Sequence, residues 1–168
     1  MPRRVFRVCR SIYARLDGEG ARRAGGRWNT IGHTVVYMAE SIALAVLENL
    51  VHMNRQDFPR GYVVVAASIP DSLHVLSDRE LRARYGNMES AVLGDIWIDS
   101  SASAVLRVSS TVVPAEHNYL LNPRHPEFHH ILVEMPTPFE FDDRLFGPGG
   151  FRLPSANSRL AMHSRPLI

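Results

Sequence analysis

Glu48 is the acid whose position demands a reason. It lies in Ala43-Leu44-Ala45-Val46-Leu47-Glu48-Asn49-Leu50-Val51, a run of helical spacing that is apolar on nearly every face. Carboxylates are seldom buried without a partner. Glu48 is therefore either a partnered acid in a partly dry site, or a helix-edge residue that reaches water. Arg27 sits among glycines in Gly25-Gly26-Arg27-Trp28-Asn29. A guanidinium there suits a phosphate, because the loop backbone also offers N–H groups; the other reading is a solvated Arg on a surface turn. Arg7, in Val5-Phe6-Arg7-Val8, faces opposite to Phe6 and Val8 by strand alternation. It either binds a ligand from a sheet face or forms the polar side of an edge strand. Tyr37 closes Val35-Val36-Tyr37, as a core aromatic or as a stacking platform. Ser110 interrupts two apolar runs in Val108-Ser109-Ser110-Thr111-Val112-Val113, with no Gly-x-Ser-x-Gly elbow to make it a nucleophile.

Composition removes several alternatives. All 19 basic residues are Arg; there is no Lys. Schiff bases, Walker-type phosphate binding and Lys general bases are excluded, and forked guanidinium groups remain for gripping anions. Cys9 is the only cysteine, which excludes intramolecular disulfides and cysteine-rich zinc sites and makes a cytoplasmic location the expectation. The eight His form no recognised metal motif, so no metal is expected. Residues 1–27 carry eight Arg against Asp17 and Glu19. Such a basic start suits an anionic ligand, a nucleic-acid surface or a solvated face. No apolar run approaches the roughly 18 residues of a membrane span, and the first residues lack the apolar stretch of a secretion signal.

The elements that must position these groups follow from periodicity and punctuation. Strands are expected at Val5–Cys9, Thr34–Met38, Tyr62–Ile69, Ala104–Val108, Ile131–Glu134 and Phe139–Phe141. Helices are expected at Ser41–Met53, with Ser41 as its cap, and at Asp78–Tyr85 and Glu89–Asp99. The Gly- and Arg-rich stretch Arg15–Asn29 reads as a loop, and Asn118–Pro123 as a turn. Strands early, middle and late, with helices between them, make a mixed α+β domain rather than a regular parallel alternation. Residues 1–146 form this domain. Residues 147–168 read as a flexible tail, with docking through Phe151, Leu153, Leu160 and Met162 as the alternative.

These residues together resemble the RES-domain family, toxins of RES–Xre toxin–antitoxin modules. The resemblance is carried by Phe6-Arg7, Leu16-Asp17-Gly18-Glu19-Gly20-Ala21, Gly25–Asn29, Val35-Val36-Tyr37, Ala43–Glu48, Val112-Val113-Pro114, Asn118–Pro126 and Phe141–Phe146. It covers about residues 5–146. The family's namesake Arg, Glu and Ser fall on Arg27, Glu48 and Ser110. Ser109 stands where the family often has Pro, which leaves Ser109 and Ser110 one residue apart as candidates.

The resemblance implies an ADP-ribosyltransferase-like fold and NAD⁺ as substrate, cleaved between nicotinamide and ribose. It requires no cofactor, with inorganic phosphate as a possible co-substrate. Nicotinamide leaves as a neutral base, so no acid has to protonate it, and one carboxylate is enough to stabilise positive charge developing on the ribose. Glu48 takes that role; Arg7 and Arg27 hold the pyrophosphate; Tyr37 stacks on nicotinamide; Ser110 and Asn29 contact the substrate. This assignment expects Glu48, Arg7 and Arg27 around one hollow. The implied partner is an Xre-type antitoxin with a helix-turn-helix domain, around a toxin homodimer. Membrane and direct nucleic-acid binding are not expected. The alternatives are an ADP-ribosyltransferase acting on a protein, and a non-enzymatic module that binds nucleic acid or antitoxin.

Overall fold

The computed structural model describes residues 1–53 and 59–146. The residues of the expected tail lie outside this range. An eight-stranded sheet organises the fold, built from β1 (Arg3–Arg10), β2 (Val36–Ala39), β3 (Tyr62–Ile69), β4 (Val75–Ser77), β5 (Val105–Ser109), β6 (His117–Leu121), β7 (Leu132–Val133) and β8 (Thr137–Phe139). Its order is β4-β5-β6-β2-β1-β3-β7, with β8 also pairing β3. Every pairing is antiparallel except that of β4 with β5. The helices are α1 (Glu19–Ala24), α2 (Ile42–Leu50), α3 (Asp78–Tyr85) and α4 (Ser90–Asp99). The expected mixed α+β class is the class observed.

Strand alternation divides the core. Val36, Met38, Val105, Tyr119 and Leu121 pack together with Val5, Ala67 and Ile69 on one face. Their sequence neighbours Tyr37, Leu106 and Leu120 turn to the other face and pack under Leu81, Leu93 and Trp97 of α3 and α4. A third cluster seats Leu44 and Ala45 of α2 against Val8, Ala39, Tyr62 and Phe141. Among the described residues no helix is long and apolar enough to cross a membrane.

Several expectations change. The Arg15–Asn29 loop contains α1, which starts after Gly18 (φ +70°) and stops at Gly25 (φ +70°). Two left-handed glycines bound a helix too short to show a period. The turn expected at Asn118–Pro123 is largely β6, because Asn118 pairs with both Ala39 and Val108 and tertiary pairing outweighs its turn preference. The short strand β4 carried no readable alternation. The Phe139–Phe141 strand is shifted to Thr137–Phe139, and the one at Ile131–Glu134 shortens to Leu132–Val133. Helix α2 is capped by Ser41, whose Oγ accepts from the Leu44 amide at 3.0 Å. It is not buried all round: Ile42, Leu47 and Val51 are exposed.

The feature that creates a site is a gap in pairing. Strand β1 pairs with β3 along all eight residues, from Arg3 to Arg10. Against β2 it registers only at Phe6 and Ala39. The central strands therefore part, and helix α2 lies beside the opening. Asn49 holds the helix there: its buried Nδ2 donates to the Val8 carbonyl at 2.9 Å and to the Ala45 carbonyl at 2.7 Å.

Candidate active site

A small cleft of about 20 Å³ occupies this gap. Phe6, Arg7 and Val8 of β1 and Tyr37, Met38 and Ala39 of β2 line it, with Ala45, Glu48 and Asn49 of α2 and Asn118 of β6. Three consecutive residues from each strand take part, so both faces of the strands and their backbones reach the walls.

Glu48 is half-buried and partnered, which decides between its two readings. Ser110 Oγ donates to its Oε1 at 2.8 Å, and Asn118 Nδ2 donates to the same oxygen at 2.7 Å. Oε2 receives no hydrogen bond from the described residues. Ser110 is buried and lies behind the carboxylate rather than on the cleft wall. Its oxygen also accepts from the amides of Val112 and Val113 at 3.1 and 3.0 Å, which folds the turn after β5. Ser109, one residue earlier, is exposed. The geometry thus selects Ser110 as the serine that meets Glu48.

Arg7 lines the cleft with Glu48. Its Nε is buried and has no acceptor among the described residues. A buried guanidinium N–H without a partner is costly unless a ligand supplies one. Burial raises the neighbouring Cys9 thiol above its usual pKa, and the Arg7 charge partly opposes this.

Arg27 is exposed and does not line the cleft, contrary to the expectation of one hollow holding all three groups. Its loop is nevertheless fastened to a cleft wall. Tyr37 Oη donates to Asn29 Oδ1 at 2.8 Å and accepts from the Trp28 amide at 3.0 Å. Burial pushes the Tyr37 phenol well above its ordinary pKa; the Trp28 amide opposes the shift and Asp95 adds to it. Asn29 Nδ2 in turn reaches the carbonyls of Ala21, Thr30 and His33. Its amide is engaged inside the loop, so Asn29 organises the loop that carries Arg27. A Cβ on Gly26 would come within 2.5 Å of Tyr37 Oη, and one on Gly94 would overlap the Trp28 carbonyl. Close backbone approach therefore explains both glycines. Helix α4 clamps the same loop from outside, with Asp95 accepting from Thr30 N at 2.9 Å and Thr30 Oγ1 at 2.7 Å.

Sequence reasoning missed Asn118 and Asn49. Asn118 was assigned to a turn, and Asn49 sits in a helix whose apolar character hid it. The signal available for Asn49 was its adjacency to Glu48 on an otherwise apolar helix. Among the described residues no cluster of His, Cys, Asp or Glu is arranged to hold a metal.

Comparison with known proteins agrees with this architecture. A family model described as RES domain matches residues 3–142. The chain is 37% identical over 141 residues to the Prs ADP-ribosylating toxin of Sphingobium sp. (strain YBL2), covering 77% of this chain and 86% of that protein. It is 37% identical over 142 residues to Toxin Res of Yersinia enterocolitica, covering 81% and 93%. Its fold is similar to a chain of the M. tuberculosis MbcT–MbcA toxin–antitoxin complex, with a TM-score of 0.64, 15% identity, and coverage of 83% of this chain and 85% of that chain. The last likeness is one of fold; the sequence matches carry the kinship. On those matches, this chain belongs to the RES-domain toxin family.

Proposed function

We propose that this protein is the toxin of a toxin–antitoxin pair and that it cleaves the nicotinamide–ribose bond of NAD⁺. The observation that carries the reading is the shared cleft of Glu48 and Arg7: an acid held by two donors beside a buried guanidinium N–H that lacks an acceptor among the described residues. The cationic nicotinamide departs as a neutral base, so the chemistry calls for charge stabilisation rather than an acid–base pair. Glu48 stabilises the positive charge that develops on the ribose. Arg7 supplies an anion contact within the cleft, and Arg27 supplies one from the loop fastened to Tyr37. Tyr37 lines the cleft where nicotinamide binds, while its ring packs in the core under α3 and α4 and its hydroxyl holds the Arg27 loop. Ser110 acts through Glu48, since it lies behind that carboxylate. Water or inorganic phosphate attacks the ribose carbon. The partner is an antitoxin that neutralises the toxin; an Xre-type protein with a helix-turn-helix domain, bound around a toxin homodimer in the cytoplasm, is the form proposed.

A second reading has a specific support. One relative at 37% identity is named an ADP-ribosylating toxin, and the same cleft serves if a protein side chain replaces water as acceptor. Product analysis separates the possibilities. Purified antitoxin-free protein is given labelled NAD⁺ with and without phosphate, and with a cell lysate. Free ADP-ribose supports hydrolysis, ADP-ribose-1″-phosphate supports phosphorolysis, and label on protein supports transfer. Intact NAD⁺ under all conditions sinks the proposal.

A further inference from the structure

The two hydrogen bonds on Glu48 are not equivalent to ordinary packing. Both fall on Oε1, and both donors have their direction imposed. Ser110 Oγ already accepts two backbone amides, so its proton is left for the carboxylate. Asn118 must present its amide nitrogen, because its oxygen facing Oε1 at 2.7 Å would set two acceptors against each other. The Asn118 backbone is held from both sides of β6, by Ala39 of β2 and Val108 of β5. Its side chain therefore leaves a strand that pairing keeps in place, and it lines the cleft together with Glu48. Asn49 offers the contrast: it neighbours Glu48 in sequence, yet among the described residues its amide bonds only backbone carbonyls.

From this arrangement we infer that Asn118 is a positioning residue for Glu48. With Ser110 it fixes the rotation of the carboxylate by holding Oε1, and it leaves Oε2 as the oxygen without a protein donor among the described residues. The fixed carboxylate then meets charge developing on the substrate without first reorienting, which is the source of electrostatic preorganisation. The inference rests on the NAD⁺-cleaving reading for its consequence, but not for the contact itself.

The test combines a kinetic cycle with a spectroscopic measurement on the full chain. Asn118→Leu, close in shape, is expected to lower kcat for NAD⁺ roughly ten- to hundredfold, the loss of one hydrogen bond to a charged group, with KM little changed. In a Glu48→Gln background the same substitution is expected to have little further effect on kcat. An equal loss in both backgrounds, or a change confined to KM, overturns the positioning role. Should Asn118→Leu fail to fold, Asn118→Asp keeps the shape and sets a second carboxylate against Oε1; it is expected to lose at least as much activity, and full activity would overturn the inference. The second measurement needs no turnover. In protein labelled with ¹³C at Glu side-chain carboxyls, the Glu48 resonance, assigned by its absence in Glu48→Gln, is expected to move in the Asn118 variant. A resonance that stays in place in a folded variant refutes the contact. A moved resonance, where the unsubstituted protein leaves NAD⁺ intact, refutes the reaction instead.

Discussion

Ser110 donates to Oε1 of Glu48 across 2.8 Å, while its own oxygen accepts the amides of Val112 and Val113. One hydroxyl thereby joins the carboxylate on α2 to the turn that follows β5. The same proton that orients the acid also depends on that turn, so local folding and the state of the site are linked through a single side chain.

Glu48→Gln keeps the shape and removes the charge. The expected result is a 10²–10³-fold loss of kcat, or about 2.7–4 kcal/mol, as for removal of one preorganised transition-state contact. Measured NAD⁺ consumption near the parent rate would take Glu48 out of the reaction.

Ser110 and Ser109 are adjacent and should behave in opposite ways. Ser110→Ala strands two amides and removes a donor to a carboxylate, so it should lower stability by about 1–3 kcal/mol and turnover as well. Exposed Ser109→Ala should stay within about 0.5 kcal/mol and keep its activity. Urea unfolding and NAD⁺ turnover of the two variants make the comparison; indistinguishable variants would contradict the geometry.

Arg7 and Arg27 should separate under ligand. In a Glu48→Gln background, which preserves the substrate, NAD⁺ should raise the melting temperature. Arg7→Ala should blunt that rise without lowering the melting temperature of the free protein, because the buried Nε has no acceptor to lose among the described residues. Arg27→Ala should leave the free protein unchanged, since its side chain is exposed, and should raise KM. Unaltered KM and kcat for Arg27→Ala would exclude it from binding.

Tyr37 bears on pH dependence. Its folded-state pKa is raised by burial from an ordinary 10.0, so its contribution is complete below pH 10.0 and is lost as the unfolded chain ionises above that value. Stability should therefore fall on the alkaline side of pH 10.0, and absorbance near 295 nm should show Tyr37 ionising only with unfolding. Tyr37→Phe strands the Trp28 amide and Asn29 Oδ1. It should cost about 1–3 kcal/mol and raise KM through the loop that carries Arg27. A Tyr37→Phe protein with parental stability would show that this anchor is dispensable.

Local chemistry was enough to define much of this protein. The β-branched run gave β3 its limits, Tyr62–Ile69, because Val side chains fit a pleated strand and Pro70 ends it. Ser41 marked the start of α2 through its side-chain oxygen, and alternation put Arg7 opposite Phe6 and Val8. The absence of Lys and the single Cys narrowed the chemistry before any fold was known. The rest depended on partners far along the chain. Glu48 meets Ser110 and Asn118, 62 and 70 residues away, and no periodicity within a helix records a donor at that distance. Asn118 followed its local preference into an expected turn, but pairing on both sides made it a strand residue facing the acid. The parting of β1 from β2, which opens the cleft, brings Arg7 to the Glu48 wall and leaves Arg27 outside it, is a property of two strands meeting and not of either strand's residues. Sequence supplied the charged groups; tertiary pairing decided which of them share a cleft, because a hydrogen bond or a cleft exists only where separate segments come together.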